Sequence, residues 1–216
     1  MTDLITLRIT EIFHSLQGES CRTGIPTVFV RLTGCPLRCQ YCDTAYAFSG
    51  GTVLSLDEII DQIKNYQTEY VTITGGEPLA QKNCLVLMQQ LCDQGFSVSL
   101  ETSGALDVST VDQRVNKVID LKTPGSLEEE KNKYENLQFI NQQDEIKFVI
   151  CDRNDYEWSK EILEKYRLVE RCGILFSPVA DKLNATDLAN WILEDNLPVR
   201  FQIQLHKWLW DDEPGR

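Results

Sequence analysis

The order of β-rich and helical segments is the feature that most limits the fold of this chain. Short runs rich in Val, Ile, Leu and Phe recur along the sequence, and stretches with helical periodicity separate most of them. Strands that alternate with helices indicate parallel βαβ units, because a parallel connection needs a long crossover. The runs that we predict as strands are 27–33, 70–74, 97–101, 117–121, 145–150, 173–177 and 199–205.

Helices are predicted from capping residues and apolar stripes. The first begins at Ser55 and Glu58, which form a capping box. The second ends near Gly95, and two more occupy 154–166 and 186–193. The side chains that these stripes turn inward are Leu56, Ile59, Ile60, Ile63, Leu85, Met88, Leu91, Trp158, Ile162, Trp191 and Ile192.

The length of 216 residues allows one sizeable core, so we expect a single α/β domain over 1–216. Six or so strand–helix repeats are too few for a complete eightfold barrel, and we predict a partial, open parallel β/α barrel. In such folds the functional residues follow the carboxyl ends of the strands. The segments in those positions that carry polar, glycine or cysteine residues are 31–35, 75–78, 102–104, 122–125, 177–178 and 206–207.

Charge and hydropathy exclude some functions. The net charge is −12 with scattered Lys and Arg, and such a surface repels nucleic-acid phosphates. Because no stretch approaches the ~20 apolar residues that span a bilayer, no membrane segment is expected. The N-terminus lacks the pattern of a signal peptide, so we expect a cytoplasmic protein.

The eight cysteines divide into two groups. Five are dispersed and are interpreted as buried free thiols, because reducing cytosol disfavours disulfides; they are Cys21, Cys84, Cys92, Cys151 and Cys172. Cys35, Cys39 and Cys42 form a C-x3-C-x2-C loop, and thiolates are soft ligands for iron–sulfur clusters or zinc. Three thiolates bind three irons of a cubane and leave the fourth iron open to a chelating ligand. The alternative is structural zinc, with Cys21 or His14 as a fourth ligand.

This loop and a second motif resemble the radical S-adenosylmethionine (SAM) superfamily. Tyr41 occupies the aromatic position of its C-x3-C-x-aromatic-C signature, which in that superfamily lies against the adenine of SAM. The segment 74–78, Thr-Gly-Gly-Glu-Pro, matches its glycine-rich strand end, where missing side chains let the backbone approach SAM. The resemblance implies a [4Fe-4S] cluster on the three cysteines, SAM as cofactor and the partial barrel of the radical SAM type.

Further segments are similar to the 7-carboxy-7-deazaguanine synthase family, and they cover nearly the whole chain in the right order. They are 11–20, 27–32, 42–44 and 204–207. The family converts 6-carboxy-5,6,7,8-tetrahydropterin into 7-carboxy-7-deazaguanine with release of ammonia, in queuosine and related 7-deazapurine biosynthesis. The resemblance implies a free pterin substrate, a homodimer, and an electron donor of the flavodoxin or ferredoxin type. It also implies reductive cleavage of SAM, hydrogen abstraction from C6 of the pterin, and regeneration of SAM.

Site residues are carried over from the family position by position. Those matched to the substrate are Leu16, Gln17, Gly18, Glu19, Arg31, Thr74, Pro178 and His206. Those matched to SAM are Tyr41, Gly75, Gly76, Glu77, Ser103, Asp120, Leu121, Lys122, Lys147, Phe148, Val149 and Ile150. Many members carry a Ser-Pro-Lys-like run near Asp120, which this chain lacks. Some end just after the pair His206-Lys207, whereas this chain continues to Arg216.

Two of these positions suit their role chemically. Arg31 is expected to bind the substrate carboxylate, because a planar guanidinium reaches both oxygens; the alternative is a surface ion pair. Thr44 matches the magnesium position, where a hard cation needs oxygen ligands; the alternative is an ordinary cap.

Two other functions are also compatible with these residues. A glycyl-radical-enzyme activating enzyme would share the cysteine loop and the glycine motif. A zinc-stabilised binding module would perform no chemistry.

Overall fold

The computed structural model describes residues 4–211, 213 and 215, and a single sheet runs through them. Its strands are β1 (Thr6–Leu16), β2 (Pro26–Leu32), β3 (Thr52–Ser55), β4 (Tyr70–Gly75), β5 (Ser97–Thr102), β6 (Asn116–Asp120), β7 (Glu145–Ile150), β8 (Gly173–Pro178) and β9 (Arg200–Phe201). Its helices are α1 (Leu56–Lys64), α2 (Cys84–Asp93), α3 (Arg153–Tyr166), α4 (Ala185–Glu194) and α5 (Leu205–Trp210). No helix in these residues is long and apolar enough to cross a membrane.

The strands lie in the order β3-β1-β2-β4-β5-β6-β7-β8-β9. From β2 to β9 every neighbouring pair is parallel, whereas β1 is antiparallel to both β2 and β3. Because β3 and β9 are the two edges of the sheet, it is not closed. The predicted fold class, an open parallel β/α partial barrel, is confirmed.

The predicted helices form where their caps and stripes indicated. Ser55 caps α1, accepting from the Glu58 backbone N–H, while the Glu58 carboxylate accepts from the Ser55 N–H at 2.8 Å. The chain leaves α2 through Gly95 at φ +89°, a backbone conformation that favours glycine. Residues 103–115, between β5 and β6, contain turns and no α-helix among the described residues, so not every crossover is helical.

One strand prediction needs correction, and two strands were not predicted. The prediction of a strand over 199–205 is wrong beyond its first residues, because β9 ends at Phe201 and α5 begins at Leu205. The Gln202 N–H still donates to the Phe176 carbonyl oxygen of β8 at 3.0 Å, but its buried side chain bonds Ser20 and Thr23, and the chain then turns into α5. The strands β1 and β3 were missed, because an antiparallel edge needs no helix between its strands.

The two faces of the sheet differ in polarity, as the alternation of side chains along strands requires. One face, called here the helix-covered face, packs apolar strand residues against the helices in one core that includes Val30, Ile73, Leu100 and Phe148. The other, called here the polar face, carries hydrogen-bonded or ion-paired residues such as Arg31, Thr74, Glu101 and Lys147. The carboxyl end of the polar face is formed by the last residues of β2, β4, β5, β6 and β7 and by the loops that follow these strands.

Candidate active site at the carboxyl end of the sheet

The three cysteines lie together in the loop after β2. All three thiols are free and partly exposed, and each interacts electrostatically with the other two. Burial raises the pKa of each thiol, that of Cys39 to about 11, and the Lys122 ammonium opposes the rise at all three. Burial likewise raises the pKa of Tyr41, so its phenol stays protonated.

The donor set of this loop fits an iron–sulfur cluster. In the described part of the chain, no three His, Cys, Asp or Glu side chains converge to hold a single metal ion. A cubane makes a different demand, because each thiolate binds its own iron atom and the sulfurs only need to face a common space. Three neighbouring thiols on one loop, with a cation beside them, meet that demand.

The glycine motif packs directly against the cysteine loop. A Cβ on Gly76 would lie 2.2 Å from the Gly34 carbonyl oxygen and 2.8 Å from the Cβ of Cys35. A Cβ on Gly75 would lie 2.2 Å from the Leu32 carbonyl oxygen. The Gly76 N–H donates to Leu32 at 3.1 Å, which locks the contact. These glycines therefore allow β4 and the cysteine loop to meet.

Glu77 joins the ends of β4 and β5. Its buried carboxylate accepts from the Thr102 hydroxyl at 2.9 Å, from the Ser103 N–H at 2.8 Å and hydroxyl at 2.5 Å, and from the Leu79 N–H at 3.0 Å. These bonds occupy the side chain of Glu77 and the hydroxyl of Ser103. Both were predicted to contact SAM; in the structure their side chains bond each other, and the Glu77 N–H donates to the Gly34 carbonyl oxygen at 2.8 Å.

A hydrogen-bonded group on the polar face joins two predicted substrate contacts. The Gln17 amide donates to Glu101 Oε1 at 3.3 Å and to the Thr72 hydroxyl at 3.1 Å, and Thr74 donates to Glu101 Oε2 at 2.9 Å. Burial raises the pKa of Glu101, Glu19 adds to the rise, and Lys147 opposes it. Glu101 was not predicted as a site residue, although an acidic residue at the end of a predicted strand was the available signal.

Two ion pairs continue the polar face across β6 and β7. The Lys147 ammonium binds Glu19 Oε2, and the Lys122 ammonium lies 2.8 Å from Asp120 Oδ2. Glu19 Oε1 and Asp120 Oδ1 are buried and have no hydrogen-bond partner within the described residues. These oxygens are ready acceptors for a ligand that carries N–H or ammonium groups.

Arg31 is both ion-paired and placed on the polar face. Its Nε donates to Glu11 Oε1 at 2.7 Å, and its guanidinium packs over the rings of Phe13 and Tyr46. The ion pair that sequence reasoning kept as the alternative is therefore present. It uses Nε, and a guanidinium has two further nitrogen groups that are able to bind a carboxylate.

The start of α5, at Leu205 and His206, packs against Gly18 in the loop between β1 and β2. The Leu205 N–H donates to the Gly18 carbonyl oxygen at 3.2 Å, and a Cβ on Gly18 would lie 2.8 Å from His206 Nδ1. Burial lowers the pKa of His206, against the opposing effect of Glu19 and Asp43. His206 is thus a neutral imidazole at pH 7 beside predicted substrate contacts.

Thr44 lies at the end of the cysteine loop, next to the carboxylate of Asp43, which is a second oxygen group that is able to bind a metal ion. Its hydroxyl donates to Asp43 Oδ1 at 2.8 Å, and the Gln204 amide donates to Asp43 Oδ2 at 2.8 Å. Burial alone would raise the pKa of Asp43, but these hydrogen bonds and two lysines outweigh it and lower the pKa. Thr44 caps no helical N–H through its side chain, so its alternative role as a cap is not seen.

Several predicted contacts do not reach the polar face with their side chains. Leu121, Phe148 and Ile150 are buried in the core of the helix-covered face, where Phe148 packs edge-on against Trp158. Successive strand residues point to opposite faces, so these three are able to offer a ligand only backbone atoms. Val149 is partly exposed, and Leu16 and Pro178 are the last residues of β1 and β8.

Comparison with known proteins agrees with this geometry. A profile of the radical SAM superfamily matches residues 29–171. The 7-carboxy-7-deazaguanine synthase of Koribacter versatilis is 44% identical over 222 residues, covering 96% of this chain and 98% of that protein. The protein of the same name from Chlorobaculum tepidum is 43% identical, covering 96% of both chains.

A solved structure extends the likeness to three dimensions. The crystal structure of QueE from Escherichia coli superimposes with a TM-score of 0.76 at 26% identity, covering 94% of this chain and 95% of that chain. The likeness therefore extends over nearly the whole fold.

Proposed function

The chain belongs to the radical SAM superfamily and, within it, to the 7-carboxy-7-deazaguanine synthases, and we propose how its polar face carries out their reaction. It converts 6-carboxy-5,6,7,8-tetrahydropterin into 7-carboxy-7-deazaguanine and ammonia. The observation that supports the assignment of roles is the meeting, at one end of the sheet, of the cysteine loop, the glycine motif and the Gln17–Thr74–Glu101 group. Relatives of this name are matched over nearly the full length, so the activating-enzyme alternative is not favoured.

The cofactor side of the site consists of the cysteine loop and the strand ends around it. We assign Cys35, Cys39 and Cys42 to the [4Fe-4S] cluster, which with SAM supplies the 5′-deoxyadenosyl radical when both are bound. We propose that the partly exposed backbone at Gly75 and Gly76 contacts the amino and carboxylate groups of SAM. The polar residues that we propose to line the rest of the SAM site are Tyr41, Asp120, Lys122 and Lys147.

The substrate side consists of donors and acceptors that match a pterin. A pterin ring presents N–H groups and a carbonyl along its edge, and the Gln17 amide, the Thr74 hydroxyl and the Glu101 carboxylate offer partners for them. Glu101 is partly exposed to this face, so a ligand is able to reach it. Glu19, held by Lys147, and His206 border the same space. The role of these residues is to orient the pterin and to exclude side reactions.

Arg31→Ala is expected to weaken carboxypterin binding by roughly 10- to 150-fold, because hydrogen bonds to charged groups contribute about 1.5–3 kcal/mol. The dissociation constant is measured by titration of the anaerobic, SAM-bound protein. Arg22→Ala is the matched control. Arg22 is also partly buried and stacks on an aromatic ring, but it bonds Ser97 at the amino end of β5. An unchanged dissociation constant in Arg31→Ala would leave Arg31 as an ion pair with Glu11 only.

We also propose that magnesium binds through Thr44 together with the substrate carboxylate. One hydroxyl cannot hold Mg²⁺ tightly, because the ion keeps most of its waters and needs further oxygens to complete six ligands. Activity is expected to fall on chelation and to return with added Mg²⁺. In Thr44→Ala the return should require more metal, with an unaltered cluster spectrum.

The matched control for this prediction is Thr68→Ala, because that hydroxyl bonds Pro26 at the amino end of the sheet. It should show the metal response of the wild type. If Thr44→Ala also shows that response, or if the wild type is indifferent to chelation, magnesium does not act through Thr44.

Several broader assignments follow from the family. We propose that residues 1–216 form one radical SAM domain, that the protein is a cytoplasmic homodimer, and that a flavodoxin- or ferredoxin-type protein donates the electron. The supporting observations are the single sheet of the described residues and the family relationship.

Anaerobic turnover tests the proposed function. The reconstituted, reduced protein should convert the carboxypterin in the presence of SAM, giving the absorbance of 7-carboxy-7-deazaguanine and one ammonia per product. If SAM is cleaved but no deazaguanine forms from this pterin, the substrate assignment is wrong.

A further inference from the structure

We propose that Gln202 is a positioning residue for the reaction: its side chain holds the backbone beside Glu19, so that the Glu19 carboxylate is aimed at the substrate. Gln202 lies between β9 and α5 and is not among the site residues carried over from the family. The inference rests on the proposed function, because that function places Glu19 at the border of the pterin site.

Gln202 is fixed at its backbone and buried at its side chain. Its N–H donates to the Phe176 carbonyl oxygen of β8 at 3.0 Å, and the residue is only 6% exposed. From this position its side chain reaches the loop between β1 and β2, 182 residues earlier in the chain. A side chain that packing holds in one rotamer is able to hold its partner precisely.

The Gln202 amide bonds both backbone polar groups of Ser20. Its Oε1 accepts from the Ser20 N–H at 3.0 Å, and its Nε2 donates to the Ser20 carbonyl oxygen at 3.2 Å and to the Thr23 hydroxyl at 2.7 Å. Because an N–H only donates and a carbonyl only accepts, the two ends of the amide cannot be exchanged. A side chain without an acceptor at this position would leave a buried N–H unsatisfied.

Ser20 needs this support because its backbone lies in the left-handed region. Its φ is +72°, a conformation that is unfavourable for a residue with a side chain and persists only where the surroundings enforce it. Ser20 is also buried, so water does not readily replace the Gln202 amide. Loss of the amide should therefore allow the peptide between Glu19 and Ser20 to turn.

The segment from Gln202 to Leu205 holds both peptide groups that flank Glu19. The Ser20 N–H belongs to the peptide that follows Glu19, and Gln202 accepts from it. The Gly18 carbonyl oxygen belongs to the peptide that precedes Glu19, and the Leu205 N–H donates to it at 3.2 Å. These two peptide groups set the direction in which the Glu19 side chain leaves the backbone.

The Glu19 carboxylate has one oxygen engaged and one available to a ligand. The Lys147 ammonium binds Oε2, whereas Oε1 is buried and has no hydrogen-bond partner in the described part of the chain. Such an oxygen binds an N–H of the pterin only if distance and angle are both suitable. Gln202 therefore acts on the substrate through Glu19.

The test is a double-mutant cycle on the dissociation constant of the carboxypterin, measured with the anaerobic, SAM-bound protein at full iron content. Glu19→Ala is expected to weaken binding roughly 10- to 150-fold, the range for a hydrogen bond to a charged group. Gln202→Met keeps the length of the side chain and removes its amide bonds, and it should weaken binding about tenfold. In the Glu19→Ala background it should add less than about twofold, because the carboxylate through which it acts is missing.

Asn136→Leu is the matched control, because Asn136 is also a buried amide that bonds the backbone of a loop. It accepts from the Val108 N–H at 3.2 Å and donates to the Gly104 carbonyl oxygen at 2.9 Å. Its loss should leave the pterin dissociation constant unchanged. Thr23→Val covers a Gln202→Met protein that fails to fold: Thr23 is exposed, and loss of its bond to Gln202 should weaken pterin binding roughly 2- to 10-fold.

Unchanged pterin binding in Gln202→Met would overturn the inference, and so would unchanged binding in Thr23→Val if Gln202→Met does not fold. A tenfold loss that persists in the Glu19→Ala background would also overturn it, because Gln202 would then not act through Glu19. If Glu19→Ala binds the pterin as the wild type does, the substrate contact of Glu19 is wrong, and this inference with it. A wild type that does not bind the carboxypterin would overturn the proposed function as well.

Discussion

Replacing Cys35, Cys39 or Cys42 by alanine is expected to remove most of the bound iron and to abolish SAM cleavage. Each thiolate binds its own iron of the cubane, and no fourth cysteine is available in this loop to take its place. Iron and sulfide per chain, together with 5′-deoxyadenosine formed after reduction, measure both losses. No other single substitution on the polar face should have so complete an effect.

Cys92→Ala is the matched control for these variants. Cys92 lies on α2, is partly buried against the core and takes no part in the cysteine loop. Its loss should cost stability at most, with iron content and cleavage intact. The ligand assignment is contradicted if any one of the three loop variants keeps four irons per chain and its activity.

Gly76→Ala is expected to reduce turnover by about 100-fold, the loss that a displacement of about 1 Å at a reacting group is able to cause. Its Cβ would lie 2.2 Å from the Gly34 carbonyl oxygen and 2.8 Å from the Cβ of Cys35. Both contacts are too short, so either β4 or the cysteine loop must move. The SAM dissociation constant and the rate of turnover at full iron content measure the displacement.

Gly95→Ala separates this effect from the general cost of losing a glycine. Gly95 has φ +89° and no atom within 4 Å of an added Cβ, so the substitution strains the backbone without a clash. It should lower the free energy of unfolding by about 1–2 kcal/mol and leave turnover unchanged. Equal turnover in Gly76→Ala and Gly95→Ala would show that the contact with the cysteine loop does not matter.

The parallel part of the fold was predictable because its signals are local. A capping box, apolar stripes and buried β-rich runs each occupy a short stretch of sequence, and their alternation implies parallel pairing. The edge was not predictable in this way: β1 and β3 pair without a helix between them. The segment 199–205 alternates like a strand, but the side chain of Gln202 bonds Ser20 and Thr23, far away in the sequence, and the chain then turns into α5.

The individual motifs of the site were predictable from the sequence, but the contacts that join them were not. The cysteine loop and glycine motif could be read from spacing, whereas their contact through Gly76 and Cys35 depends on the pairing of β2 with β4. Glu101 belongs to the site only because register brings it to Gln17 and Thr74. The resemblance matches the whole run 147–150 to SAM, although alternation along a strand places Lys147 and Phe148 on opposite faces.

The measurement that tests the central claim most directly is hydrogen transfer from C6 of the substrate. If SAM and the pterin lie together on the polar face, C6 is within reach of the 5′ carbon of SAM. Anaerobic reaction with carboxypterin deuterated at C6 should then place deuterium in 5′-deoxyadenosine or in recovered SAM, while 7-carboxy-7-deazaguanine forms. Cleavage of SAM to 5′-deoxyadenosine without deuterium, at full cluster content and with the pterin bound, would contradict this arrangement.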